Sequence, residues 1–461
     1  MTQLWQLSAA QLANAYHRKQ ASPVEATEAI IARCQSHAEP LNAISHQLYE
    51  QALEAAKASA QRYMKGRPLS TLDGVPYTIK ENVVTQGHNN TMGSVICRTA
   101  PVSKVSAPSA QRLADAGGIM FAKTAMTDFG LAGSGASTLH GPCKNPYDPM
   151  LNTNGSSSGS AAALAVGAGP ISIGTDLCGS IRNPAAWCGV VGFKQNYGSI
   201  PHIPAAWGRH AGPMTRSVAD AQTMLNLLRG PHVADASALP TIAPAILPNS
   251  LEGLKVGLIL NAYGMPAVEP AIANAVQQAA MHLHAAGAHI IDLSDQPVWS
   301  ESMRCWHYYL GLTGAHAMHS IDQEQHAKLP PSTLAFNDIS GPSTSIQAGQ
   351  ALADLSGARQ AMHQASLQVD VLLSPTIPIS PFAAELYGID NDPGRHVEHL
   401  NYTGIFNLSG QPAISIPGGL DDAGMPIGIQ LASNLYEDDK LLWIARQLET
   451  YLAFEYRQLE V

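Results

Sequence analysis

Asn152–Tyr197 reads NTNGSSSGSAAALAVGAGPISIGTDLCGSIRNPAAWCGVVGFKQNY. It opens on hydroxyls and glycines (Gly155, Ser156, Ser157, Ser158, Gly159, Ser160) and continues into the helix-forming Ala161–Leu164. After an apolar segment comes a second small-residue turn, GTDLCGSIR, at Gly174–Arg182. Glycine permits backbone conformations that branched residues resist, and serine at a helix start caps the first amides. Unpaired amides at such a turn bind a phosphate, a substrate carboxylate or a developing oxyanion. The turn Leu177-Cys178-Gly179-Ser180 adds further amides beside a hydroxyl, the arrangement that acyl transfer needs. A flexible linker is the bland alternative, but linkers do not normally run on into core-forming residues such as Ala161–Ile173. A phosphate loop is weaker still, since no lysine follows the glycines in the GxxxxGK(S/T) pattern.

With both turns read, the chain resembles the amidase signature family of serine hydrolases. That family's pattern, roughly GGSSGGS and then GTDxGGSIRxP, matches Asn154–Ser160 and Gly174–Pro184. The resemblance implies an α/β fold in which a mixed, twisted β-sheet is covered by helices on both faces. It also implies that Ser180 is the nucleophile and that Ser156, in an unusual cis peptide, bridges it to Lys80. Read alone, Lys80 defaults to a surface lysine. Its segment, LDGVPYTIKENV, resembles the family's lysine-bearing strand, with Glu81 where aspartate is usual. Asn154, Ser158 and Cys178 stand where glycines are common, which restricts the backbone and leaves specificity open. A nucleophilic Cys178 is the alternative, but the family places Ser180 at the attacking position.

A chain of 461 residues with 45% hydrophobic content can bury a large core. Length alone suggests two or three domains, although large α/β enzymes exceed that prior. Recognisable segments run from near residue 7 to 450, so the resemblance implies one domain over 1–461, with 298–365 as a variable helical substrate cover. A formal charge of −9 with 26 basic residues argues against a nucleic-acid surface. The N-terminal MTQLWQLSAAQLANAYHRKQ lacks a basic region followed by a continuous apolar run, and Ala161–Ile173 is short for a membrane span. Cys34, Cys97, Cys143, Cys178, Cys188 and Cys305 are dispersed without a CxxC pair, which favours reduced thiols. A cytoplasmic protein without membrane or nucleic-acid partners is the expectation. His316, His319 and His326 lack a ligand spacing and no HExxH occurs, so neither metal nor cofactor is expected.

The rest of the chain alternates. Ser22-Pro23-Val24-Glu25 is a helix start with proline at the first position, ahead of Ala26–Cys34. Asn42–Arg62 reads as helix, Leu72–Lys80 as a turn and strand, 107–116 as helix and 118–122 as strand. KTAMTDF at 123–129 resembles the family's KTNMSEF. Helices are expected at 217–228, 268–286 and 441–451, strands at 254–260, 289–293 and 369–373, and a surface connection at 231–248. This alternation supports an α/β organisation.

An ordinary alcohol is a weak nucleophile without a base. Lys80 can supply one if burial and positive surroundings hold it neutral, with Ser156 relaying the proton. The backbone at Leu177, Cys178, Gly179 and Ser180 is the expected oxyanion hole. Ser157, Asp176 and Arg182 are expected to organise the site, Asp176 by tethering the turn and Arg182 by pairing with a carboxylate. Met126, Asn154, Trp306, His307, Tyr309 and Thr376 are candidates for substrate contact. The expected reaction is hydrolysis of a small carboxamide or urea-like amide, releasing ammonia or an amine. The alternatives are a glutamine- or asparagine-hydrolysing component of an amidotransferase, which needs an accessory subunit, and a noncatalytic small-molecule binder. Homodimer formation is left open.

Overall fold

The computed structural model describes residues 3–241, 247–336, 344–454 and 459. Among these residues, eleven strands form one sheet. In chain order they are β1 (Ile44–Gln47), β2 (Pro76–Lys80), β3 (Ile119–Thr124), β4 (Ile171–Asp176), β5 (Val191–Lys194) and β6 (His210–Thr215), followed by β7 (Lys255–Leu258), β8 (His289–Asp292), β9 (Val371–Pro375), β10 (Ala413–Leu420) and β11 (Pro426–Ser433). Their spatial order is β1-β3-β2-β4-β6-β5-β10-β11-β9-β7-β8. β2 runs parallel to β3 and β4, β7 parallel to β8 and β9, and the remaining pairs are antiparallel. The sheet is therefore mixed, as expected.

β2 and β4 are buried at every position, as central strands covered on both faces must be. One face packs through Tyr77 and Ile79 against helices α1 (Pro108–Asp115) and α2 (Val218–Leu228), α3 (Pro270–Ala285) and the C-terminal helix Asp438–Leu452. On the other side, Ala161 and Leu164 of the helix Ser158–Ala165 meet Ala185 of Arg182–Cys188 and Met214 of β6. Alternation along β2 puts Thr78 and Lys80 on this second side, where Thr78 donates to Ser172 of β4 at 2.9 Å.

Local signals hold at the helix starts. Ser22 accepts from the Glu25 amide while the Glu25 carboxylate accepts from the Ser22 amide at 2.7 Å, with Pro23 opening the helix Pro23–Arg33. Ser217 likewise caps α2. One reading is corrected: Asn42–Arg62 is not helical throughout, because Ile44–Gln47 forms the edge strand β1 and the helix spans Tyr49–Met64. Four residues at a sheet edge are too few for a two-residue alternation to show against an alanine-rich background. The 298–365 region is mainly helical where described, with Val298–His319 and Ser345–Ser366 as its long helices; residues 337–343 lie outside the described residues, as do 242–246 of the expected surface connection. Among the described residues, no helix is long and apolar enough to cross a membrane.

Candidate active site

The two small-residue turns meet at the C-terminal ends of the neighbouring parallel strands β2 and β4. Lys80 ends β2, and Thr175 and Asp176 end β4. The first turn enters the helix Ser158–Ala165 and the second enters Arg182–Cys188. Ser157 joins them: its amide donates to the Ser180 carbonyl at 3.1 Å, and its hydroxyl donates to the Thr175 carbonyl and accepts from the Thr175 amide, both at 3.2 Å. The Gly155–Ser156 peptide is cis. A side chain at Gly155 has no room, since a Cβ there would lie 2.0 Å from the Ser134 carbonyl oxygen.

Lys80 is fully buried, and its Nζ donates to Ser156 Oγ and to Thr175 Oγ1, each at 2.8 Å. Asn82 Nδ2 donates to the same threonine hydroxyl at 3.1 Å. Burial pulls the Lys80 ammonium from 10.5 down to about 7; the charges of Asp176 and Glu81 oppose the shift and that of Arg209 adds to it. Ser180 is partly exposed and Ser156 buried, so the cluster opens outward at Ser180.

Asp176 and Arg182 fix the second turn. Arg182 Nε and Nη2 donate to the Asp176 carboxylate at 3.0 and 3.1 Å, both side chains being fully buried. Asp176 also accepts from the amides of Gly179 at 2.7 Å and Ile181 at 3.2 Å, and from Asn407 Nδ2 at 2.8 Å. The second Arg182 edge donates to Gln430 Oε1 and Asn407 Oδ1, each at 2.7 Å, and to the Thr403 carbonyl at 3.0 Å. Burial alone would raise the Asp176 carboxyl, but the Arg182 guanidinium holds it well below the usual carboxylate range.

The turn departs from expectation in one respect. Gly179 donates its amide to Asp176, so that amide serves the turn itself; those of Leu177, Cys178 and Ser180 donate to no acceptor among the described residues. Glycine at 179 has its own cause: φ is +97°, and a Cβ would lie 2.2 Å from Thr403 Oγ1. Cys178 Sγ points into the wall, 2.8 Å from where a Cβ of Gly404 would stand, and burial pushes its thiol up to about 12. Such a thiol is a poor nucleophile.

The remaining candidates divide. Met126 joins the cluster: a Cβ built on Gly130 would lie 3.1 Å from Ser156 Oγ and 3.4 Å from Met126 Cε. Glu81 holds the Met126 loop by accepting its amide at 3.1 Å and pairing with His140 Nε2 at 3.0 Å. Asn154, at φ +61°, turns its side chain back to accept from the Gly155 amide at 2.7 Å. Trp306 stacks on Tyr309 with centroids 5.2 Å apart and abuts Gly208, two residues before His210 of β6, which pairs with Asp176. His307 lies near His396, and burial holds its imidazole down to about 4. Thr376 is not brought to the cluster: it follows β9, and its hydroxyl bonds to Ser415 Oγ at 2.8 Å. Of the three histidines weighed and set aside as metal ligands, His326 bonds to the Met318 carbonyl at 3.2 Å, and no metal-holding group of His, Cys, Asp and Glu occurs among the described residues.

The family described as Amidase matches residues 25–442, from within the helix Pro23–Arg33 to the C-terminal one. The chain belongs to the amidase signature family. It is 31% identical over 453 residues to a glutamyl-tRNA(Gln) amidotransferase subunit from Synechococcus sp. (strain CC9605), covering 90% of each chain. Among solved structures it resembles 6-aminohexanoate cyclic dimer hydrolase in complex with substrate (TM-score 0.88, 26% identity, 100% of this chain and 99% of that one). It also resembles a bacterial aryl acylamidase of the amidase signature enzymes (TM-score 0.86, 26% identity, 96% of each chain). Family membership makes it an enzyme of carbon–nitrogen bond chemistry, a hydrolase or amidotransferase.

Within this amidase signature chain, sequence reasoning missed Thr175, Asn82 and Arg209. Thr175 carried the clearest signal, since it belongs to the second motif and immediately precedes Asp176. Arg209 carried only its place in WGRHAGP, just before a strand.

Proposed function

We infer that the chain hydrolyses a small-molecule amide through an acyl-enzyme on Ser180. The observation that carries this reading is the buried contact of 2.8 Å between Lys80 Nζ and Ser156 Oγ, beside the turn that bears Ser180. In its neutral form Lys80 accepts the Ser156 proton as Ser156 takes that of Ser180, and Ser180 Oγ attacks the carbonyl carbon. The oxyanion is held by the unengaged amides of the turn, at Leu177, Cys178 and Ser180. The proton returns through Ser156 to the departing nitrogen as the carbon–nitrogen bond breaks. Water then enters by the same relay, adds to the ester and releases the acid. Asp176 and Arg182 position the turn, and Met126, Trp306 and Tyr309 contribute to the walls. The continuous sheet supports one domain over 1–461, and the absence of a membrane-crossing helix among the described residues fits a cytoplasmic setting.

The experiment is release of ammonia or amine from a panel of monoamides, aryl amides, biuret-like compounds, glutamine and asparagine, read alongside intact-protein mass. Turnover with an acyl adduct that vanishes in Ser180→Ala is the expected result. Full turnover or acylation by Ser180→Ala sinks the assignment. A second reading, as one component of an amidotransferase, draws on the 31% identity to the Synechococcus protein over 90% of the chain. It requires a copurifying partner and transfer of the released ammonia to an acceptor, whereas the hydrolase acts alone.

A further inference from the structure

Arg209 is a residue near this cluster whose charge no carboxylate answers among the described residues. It directly precedes β6, whose first residue, His210, pairs with Asp176; Arg209 thus stands across from Leu177, where the second turn begins. The backbone there is pinned, because the Gly208 carbonyl accepts from Asn407 Nδ2 at 3.0 Å and Gly208 itself abuts the Trp306 ring. The side chain is partly buried, and its guanidinium enters no hydrogen bond or ion pair among the described residues. Its charge acts on Lys80 of the proton relay, on His202 and on Tyr309, which stacks on Trp306. Burial pulls the guanidinium below its ordinary value and only Tyr309 counters this; no carboxylate does.

Arg182, fully buried, is by contrast matched on both edges by Asp176, Asn407 and Gln430. Desolvating a cation without a partner is costly, and a site that leaves it so is prepared for an anion that arrives later. A second such cation lies alongside: Arg359 covers the face of Trp207 at 3.4 Å, Trp207 meets Tyr197 at 4.3 Å, and neither ion pair nor carboxylate answers Arg359 among the described residues. In a chain of net charge −9, a guanidinium without a carboxylate partner, close to a second one that has only an aromatic face to answer it, is not a property of the average surface.

We propose that Arg209 receives a carboxylate of the substrate, so that the amide cleaved at Ser180 is one carrying an anionic group. This deepens the hydrolase reading and rests on it. The planar guanidinium fork matches a carboxylate with two parallel hydrogen bonds, which lysine cannot reproduce.

The test uses matched pairs: succinamate against succinamide, and N-acetylglycine against N-propylacetamide. The quantity read is the ratio of kcat/KM between the charged and neutral members. Because Arg209 also acts on Lys80, its loss moves both members together, and the ratio removes that effect. In at least one pair the wild type is expected to favour the carboxylate roughly 10- to 100-fold, the worth of a hydrogen bond to a charged group. Arg209→Met brings the ratio towards one and Arg209→Lys restores part of it. A wild-type ratio near one in both pairs, or an unchanged ratio in Arg209→Met, overturns the proposal while leaving Ser180-dependent hydrolysis standing. If none of the four compounds is cleaved, calorimetric binding of succinamate and N-acetylglycine to Ser180→Ala decides. Binding lost on adding Arg209→Met supports the proposal, and absent or unaffected binding overturns it.

Discussion

Lys80 Nζ and Ser156 Oγ lie 2.8 Å apart although 76 residues separate them in the chain. Nothing local holds them together. Lys80 is carried by β2, Ser156 by the turn clamped to β4 through Ser157, and the pairing of β2 with β4 brings the two into contact. Removing the amine therefore removes the base without dismantling the sheet. Lys80→Ala is expected to lower kcat by roughly 10²- to 10⁴-fold, the usual worth of a positioned general base. Steady-state turnover at saturating amide, with circular dichroism to confirm folding, checks this. Undiminished activity means another group is the base.

The pH profile follows from the same burial. A base must be unprotonated to act, and Lys80 loses its proton near about 7 rather than at 10.5. Activity should thus fall below about 7 and rise to a plateau above it. Arg209→Met should move that limb to higher pH, because the charge of Arg209 is one of the contributions holding Lys80 down. Initial rates across pH 5 to 10, with buffers overlapped, read both effects; a flat profile through neutrality contradicts the assignment.

Arg182→Met leaves Asp176 buried and short of its main partner. Breaking such a pair costs about 3–5 kcal/mol. The midpoint of urea unfolding should drop accordingly, with acylation of Ser180 reduced in whatever fraction stays folded. A variant as stable as the wild type rules out the proposed role of the pair.

Gly179→Ala forces an L side chain into φ +97° and places its Cβ against Thr403 and Asn183. The turn has to shift, taking the neighbouring amides with it. Labelling of Ser180 by a fluorophosphonate should fall more steeply than thermal stability does. Equal labelling would mean that the turn tolerates another geometry.

Cys178 sits one residue from Gly179 yet should be chemically quiet. With its thiol pushed up to about 12, little thiolate exists at pH 8, so iodoacetamide should spare it. Peptide mapping after brief alkylation checks this, with the partly exposed Cys97 and Cys305 as internal comparisons.

The parts of the site that sequence exposed are those encoded in consecutive residues. Ser156, Ser157, Asp176, Ser180 and Arg182 all belong to two short stretches whose small side chains exist to make turns, and composition betrays them. Lys80 became legible only through the resemblance of its whole strand, because one lysine after an isoleucine does not announce burial. Thr175 carried a signal through its place in the second motif, but Asn82 and Arg209 were not legible as site residues: what makes them so is which strand ends lie side by side, and a sheet order that starts β1-β3-β2-β4-β6 is not written in any single stretch. Thr376, a candidate for substrate contact, places its hydroxyl against Ser415 of β10, a contact set by strand order that no single stretch encodes. Gly179 shows the same limit at finer scale, since only the bond to Asp176 tells that its amide is taken.

The knot around Arg182 also has a bearing on biosynthesis. The groups that complete it, Thr403, Asn407 and Gln430, are supplied long after both serines and the lysine have left the ribosome. A nascent or truncated polypeptide ending before them contains every reactive side chain but lacks the fastening that sets the nucleophile's loop, so it should remain inert until translation is nearly finished.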